Sequence, residues 1–338
     1  MITNDSVTND SVIKINTSIT NDSIDNNLIN NECVGNNSMT DNLQNKTFRS
    51  GTVVLIGRPS SGKSTLVNCA CGNKVSIVSK APQTTRFLIK AIYTDDDAQI
   101  IFVDTPGYHH FNSDLNRGLS NLAANTLNDG DIILYITDPS RELGEEEEDI
   151  ISKVKPFESK TIIVFNKSDL TDDAYNKFVS DVNSRLKPMY SINTSALNDK
   201  NIDNLIRFIK TRLPIGPLYY PEDFVTDQDI PFRIKECVRE KLFILMNDEI
   251  PHSCYVEIEK LTVNNKSIKV YASICVEKES QKGMVIGKSA SMIKQIGEVS
   301  RKELIEIFEK QVNLFLNVKV HHNWRKNTNF LKKMFELH

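Results

Sequence analysis

Long apolar runs are missing from this 338-residue chain. Nothing approaches the roughly 20 consecutive apolar residues that cross a bilayer as a helix, which excludes an integral helical membrane protein. Cysteine is sparse: the six residues Cys33, Cys69, Cys71, Cys237, Cys254 and Cys275 are scattered, three of them inside apolar segments. That pattern argues against a disulfide framework and for reduced thiols in a cytosolic protein. Cys69 and Cys71 form a lone C-x-C with no second pair, too little for a metal site. Apolar residues are also scarce in residues 1–48, where Asn, Asp, Ser and Thr dominate and Thr-Asn-Asp-Ser recurs at Thr3–Ser6, Thr8–Ser11 and Thr20–Ser23. So little apolar surface does not offset the entropy of ordering, and a disordered tail is expected. The segment has neither the basic start nor the apolar core of a signal peptide. Its six acids against two lysines do not suit a mitochondrial presequence.

The remaining sequence alternates. Apolar runs Val53–Ile56, Ile100–Val103, Ile132–Ile136 and Ile162–Phe165 read as buried strands, separated by helical stretches Ser64–Cys71, Leu115–Leu127 and Glu145–Lys155. Strand alternating with helix predicts an α/β three-layer domain over residues 49–212 with a mainly parallel sheet. Residues 213–230, with Pro214, Gly216, Pro217 and Pro221, carry a linker signature. Residues 231–338 then read helix, strand, strand, helix, strand, a small α+β domain. Lys and Arg number 19 there against 13 Asp and Glu, whereas the tail carries a net −4. That asymmetry points the C-terminal part toward a polyanion.

Four segments carry chemistry. Gly57-Arg58-Pro59-Ser60-Ser61-Gly62-Lys63-Ser64, followed by Thr65, matches G-x-x-x-x-G-K-[ST] between a buried strand and a helix. Its backbone N–H groups would face phosphates, Lys63 would add a cation between the outer ones, and the Ser64 hydroxyl would ligate Mg²⁺. Asp104-Thr105-Pro106-Gly107 closes the strand Ile100–Val103; Asp104 would hold the same metal and the Gly107 N–H would sense a γ-phosphate. Asn166-Lys167-Ser168-Asp169 supplies base choice, because a bidentate Asp169 suits the two donors on the guanine edge and leaves a buried charge unpaired with adenine. Thr194-Ser195-Ala196 follows a further strand and would aim backbone N–H groups at the guanine oxygen. Between the first two segments lies Gln83-Thr84-Thr85-Arg86; Thr85, with Thr84 as the alternative, would close over Mg²⁺. The catalytic set is thus Lys63, Thr85 and Gly107, and the metal set Ser64, Thr85 and Asp104. Where related switches place a water-orienting glutamine, this chain has Tyr108, then His109 and His110. Slow intrinsic turnover follows, on the order of 10⁻⁴ s⁻¹.

These motifs, with Leu115-Asn116-Arg117, Tyr219-Tyr220-Pro221-Glu222-Asp223, Arg239-Glu240-Lys241, Met284-Val285-Ile286-Gly287 and Ile293-Lys294-Gln295-Ile296-Gly297, resemble the Era family of ribosome-assembly GTPases from about Gly51 onward. The resemblance implies a P-loop GTPase domain and a C-terminal type II KH domain. It implies GTP and GDP as ligands, binding of small-subunit ribosomal RNA near its 3′ end, and a role in maturing that subunit. RNA contact falls on Ile286, Gly287, Lys288, Ser289, Ala290 and Lys294. Two departures stand out. Family members carry Asn at Ser60, where it helps hold a catalytic K⁺, so K⁺ activation is in doubt. The KH loop normally reads Gly-x-x-Gly, and here Ala290 replaces the second glycine, penalising φ > 0. The competing reading is a GTP-dependent interaction protein whose C-terminal domain grips a protein or membrane surface. A cytoplasmic monomer with no DNA partner is expected, with room for a peripheral membrane fraction.

Overall fold

Short β-branched runs become strands here, and segments with apolar residues three or four apart become helices. The computed structural model describes residues 47–79, 84–108, 114–170, 172–246, 250–327, 330–331 and 334, the side chains of 114–117 excepted. Residues 1–46 of the tail, Gln83, His109 and His110 therefore lie outside the described residues.

Strand β1 (Arg49–Ile56) leads into α1 (Lys63–Cys71), then β2 (Ile89–Thr94), β3 (Ala98–Asp104), α2 (Asp114–Thr126), β4 (Ile132–Thr137) and α3 (Glu145–Val154). Next come β5 (Thr161–Phe165), α4 (Asp173–Arg185), β6 (Tyr190–Asn193) and α5 (Ile202–Arg212). The sheet order is β2-β3-β1-β4-β5-β6, and each neighbouring pair is parallel except the antiparallel β2–β3. Helices cover both faces, which is why β3, β4 and β5 are buried along their whole length and read as continuous apolar runs. Val53, Leu55, Ile100 and Phe102 pack on one face with Leu66 of α1 and Leu205 of α5. Val54, Ile56, Ile133 and Tyr135 pack on the other with Ile150 of α3 and Phe178 of α4. Edge strand β2 escapes the run criterion, because Lys90 faces solvent and interrupts it.

Residues 213–229 are strapped to the sheet. The Ser50 amide donates to the Pro214 carbonyl at 3.1 Å and the Ile92 amide to the Val225 carbonyl at 2.9 Å. The Tyr219 and Tyr220 amides donate to Gln99 Oε1 at 2.8 and 3.0 Å. The Pro/Gly composition signals irregular backbone correctly, yet these bonds make it a fitted strap and not a free spacer.

The second sheet is built from β7 (Tyr255–Val263), β8 (Ser267–Val276) and β9 (Gln311–Val320), with β7–β8 antiparallel and β8–β9 parallel. Helix α6 (Ile230–Leu245) precedes it, begun by Asp229, whose carboxylate accepts from the Phe232 amide at 2.7 Å, and by Pro231 in the first turn. Between β8 and β9 the pattern predicts one long helix. The structure has two, α7 (Glu279–Ile286) and α8 (Ser291–Phe308), separated by Gly287–Ala290. Ile234, Val238, Val270, Ile274, Val285, Ile296 and Leu304 make this part's core on one face of the sheet.

Candidate functional site

Parallel strands of one sheet direct their following loops to the same edge, and the expected motifs meet there. Gly62 takes φ 98°, and a Cβ on it would stand 2.1 Å from Asn166 Nδ2, so only glycine fits this turn. Lys63 is buried, its ammonium donating to the Gly57 and Arg58 carbonyls at 2.9 Å each. Burial pushes its pKa down to about 8, with Asp104 and Glu147 partly opposing. The Ser64 hydroxyl lies 2.7 Å from Asp104 Oδ2 and 3.0 Å from the Thr85 hydroxyl. Asp104 is fully buried, which raises its pKa, and its Oδ1 has no hydrogen-bond partner. An orphaned carboxylate oxygen beside two hydroxyls is an all-oxygen donor set that fits a hard divalent cation. Of the two threonines considered from sequence, Thr85 joins this cluster and Thr84 bonds Ser79 Oγ at 2.7 Å instead.

Gly107 packs against the phosphate-loop backbone: a Cβ there would lie 2.7 Å from Pro59 Cα. The Tyr108 amide donates to the Gly57 carbonyl at 3.1 Å, while its side chain is buried among Val54, Ile56 and Val103. Tyr108 therefore leaves the expected contact set as a side chain, because its ring fills the core behind the loop. Thr105 and Pro106 are buried as well, Thr105 donating to the Leu55 carbonyl at 2.6 Å. The Arg58 side chain turns to Glu146 and Glu147, leaving its backbone to the site.

Asn166 ties three loops together. Its Nδ2 donates to the Ser61 carbonyl at 3.0 Å, and its Oδ1 accepts from the Ala196 amide at 3.0 Å and the Thr194 hydroxyl at 3.3 Å. The Ser168 amide donates to the Thr194 carbonyl at 2.9 Å. Asp169 is exposed at the cleft, and the Ser195 hydroxyl donates to its Oδ1 at 2.5 Å. A cleft of about 1010 Å³ is lined by Pro59, Ser60, Gly62 to Thr65, Thr85, Gly107, Asn166, Lys167, Asp169, Ser195 and Ala196. Its walls also include Ile77, Val78, Ser79 and Thr84 and, from the end of α6, Phe243 and Ile244.

Some participants were not visible in the motifs. Asp138, at the C-terminal end of β4, pairs with Lys167 Nζ at 2.5 Å and accepts from Ser140 Oγ at 2.6 Å. Arg141 donates to the Pro59 carbonyl at 3.1 Å. An acid just past a buried parallel strand was the available signal. Arg86, next to Thr85, is buried and donates to the His252 and Cys254 carbonyls at 2.9 Å and the Pro251 carbonyl at 3.4 Å. The Val78 amide donates to Glu240 of α6 at 2.8 Å. The segment flanking Thr85 is thus held at both ends by the C-terminal domain.

In that domain Gly287, Ser289 and Ala290 take φ of 73°, 52° and 60°. Lys288, Ser289 and Lys294 are exposed and Ile286 half-buried.

A family model for the 50S ribosome-binding GTPases matches residues 52–167 and one for the KH domain matches residues 249–325. GTPase Era of Treponema denticola is 45% identical over 290 residues, covering 84% of this chain and 99% of that protein. GTPase Era of Borreliella burgdorferi is 40% identical over 287 residues, 85% of this chain and 99% of its own. Two crystal structures superpose with a TM-score of 0.80 at 32% identity over 85% of this chain. One is an Aquifex aeolicus Era variant bound to GDP.AlF4-, covered over 99% of its length. The other is Era in complex with MgGDPNP and nucleotides 1506–1542 of 16S ribosomal RNA, covered over 98%. Two modules in this order, matched along nearly the whole of each relative, place this chain in the Era family of GTPases.

Proposed function

We propose that this protein is a GTP-hydrolysing switch that binds small-subunit ribosomal RNA near its 3′ end and acts in assembly of that subunit. Residues 49–212 form the GTPase domain and 231–338 the KH domain, with 213–230 joining them and 1–48 as the tail. The observation that carries the nucleotide reading is the cluster of Ser64, Thr85 and Asp104 with its unpartnered Asp104 Oδ1, beside the buried Lys63. Gly57 to Thr65 would cradle the phosphates through backbone N–H groups, and the Lys63 ammonium would bridge the outer ones. Ser64, Thr85 and Asp104 would hold Mg²⁺, which neutralises charge on the phosphate oxygens. The Gly107 N–H would read the γ-phosphate. Asp169 would take the guanine N1 and N2 donors, Lys167 would cover the ring, and the backbone of Ser195 and Ala196 would meet the guanine oxygen, with Asn166 and Ser168 bracing the loops. Arg58, Thr105, Pro106 and Tyr108 act from behind as backbone or packing. With the Tyr108 ring in the core, no side chain from that position orients water, so the RNA or another partner accelerates turnover. The short Ser60 side chain favours equal rates in K⁺ and Na⁺.

RNA would run over Gly287 to Ala290, with Lys288 and Lys294 on phosphates and Ile286 under a base. Support comes from the Era structure solved with 16S ribosomal RNA and from the domain's positive charge. Among the described residues no helix is long and apolar enough to cross a membrane. The decisive test is nucleotide titration of the wild type and Asp169→Asn. GTP and GDP should bind far more tightly than ATP, and the variant should move its preference to xanthosine nucleotides. Equal affinity for ATP and GTP in the wild type would sink the reading.

A further inference from the structure

The face of the β7-β8-β9 sheet opposite the KH helices is not uniform. At one end it is covered: Tyr255 and Cys275 lie under Trp324 and Leu331. At the other end it is open, and the register there brings one cross-strand row together, Lys260 on β7, Tyr271 on β8 and Phe315 on β9. Tyr271 and Phe315 stack with ring centroids 4.8 Å apart and planes 15° apart, and Phe315 remains 47% exposed. Lys269 lies over both rings, 5.5 Å from Tyr271 and 5.8 Å from Phe315. The next row is Thr262, Lys269 and Asn313, all exposed. These two rows carry two lysines, two aromatics, an amide and a hydroxyl, and no carboxylate. The acids of this face, Glu257 and Glu259, stand toward the covered end, and Glu259 is paired with Lys319 at 2.6 Å.

We infer that this patch is a second RNA-contact surface, taking an unpaired base on the Phe315–Tyr271 stack and the adjoining phosphate on Lys269 and Lys260. It rests on the RNA-binding reading above and extends it to a face the KH loop does not reach. Aromatic rings on adjacent strands with flanking cations are the chemistry by which sheets hold single-stranded nucleic acid: the π-face accepts any base, and the cation answers the phosphate. A protein partner of mixed charge would find no acid here to meet its own cations. The KH loop clamps roughly four nucleotides. The RNA crystallised with the Era relative, nucleotides 1506–1542, is far longer than that.

The test measures binding of the full chain, loaded with a GTP analogue, to two RNAs. One is a single strand of roughly four to eight nucleotides from the 3′ end, enough for the KH groove. The other spans the equivalents of nucleotides 1506–1542. Phe315→Ser and, separately, Lys269→Gln are compared with wild type, and GTP turnover without RNA reports intact folding. The expected result is about a tenfold loss for the long RNA in Phe315→Ser and a smaller loss in Lys269→Gln, with short-strand affinity and turnover unchanged. Unchanged long-RNA affinity in both variants overturns the inference, as does an equal loss for both RNAs. If wild type binds neither RNA, the RNA-binding reading itself fails.

Discussion

Lys63 and Ala290 each hold a conformation or charge that solvent would not choose. With Lys63 pushed down to about 8 by burial against an ordinary 10.5, the unfolded chain holds a proton between those values that the folded chain has released. Its contribution to stability therefore rises with pH across that window. Phosphates favour the ammonium, so nucleotide binding takes up a proton above pH 8 and affinity falls as pH rises further. Calorimetry at pH 8.5 in buffers of different ionisation enthalpy should detect this uptake, and Lys63→Met should abolish it. Ala290 keeps φ 60°, the backbone a second glycine would adopt freely. A left-handed alanine costs about 1–2 kcal/mol, partly offset by the entropy a glycine loses. Ala290→Gly should raise denaturant stability by roughly 1 kcal/mol and tighten RNA binding. The substitution was legible in the sequence. That the chain bends the alanine to suit the loop, and not the loop to suit the alanine, was not.

At the scale of elements, the segment between α1 and β2 joins the two chemistries. Thr85 faces the Ser64–Asp104 cluster while its neighbour Arg86 clamps the carbonyls of residues 251, 252 and 254. At its other end Lys74 pairs with Glu240 of α6 and Glu303 of α8 at 2.6 and 2.7 Å, and α8 begins at the KH loop. These contacts tie the threonine's segment to α6 and α8 of the C-terminal domain. Arg86→Met removes the donors from three carbonyls and should cost about 2–4 kcal/mol of stability in urea unfolding. The same variant should shrink the difference in RNA affinity between GTP-analogue and GDP forms. An unaltered difference would show that the coupling runs elsewhere. Sequence reading marked Gln83 to Arg86 as a family stretch yet assigned Arg86 nothing, because its partners are backbone carbonyls some 165 residues away.

Across the whole molecule, charge and shape divide the work. The C-terminal domain carries the positive excess, so RNA affinity should fall steeply with salt while nucleotide specificity does not. Lys288→Ala and Lys294→Ala should each reduce the slope of log affinity against log salt by about 0.7. What the sequence determined by itself is whatever depends on local order: phosphate-loop, D-x-x-G and N-K-x-D motifs that must lie at strand ends, and apolar runs that only a doubly covered parallel sheet buries. Periodicity and fixed spacing survive in one dimension, so the fold class and the motif residues that line the cleft were readable. Tertiary structure decided what depends on long-range approach. It chose Thr85 over Thr84, turned Tyr108 into the core, strapped residues 213–229 to the sheet and brought Phe243 and Ile244 of α6 to the cleft wall. It also set Tyr271 beside Phe315, 44 positions further along the chain, through a parallel pairing that no local pattern announces. A side chain's partners across a fold are fixed by register and packing, and neither is written in its own neighbours.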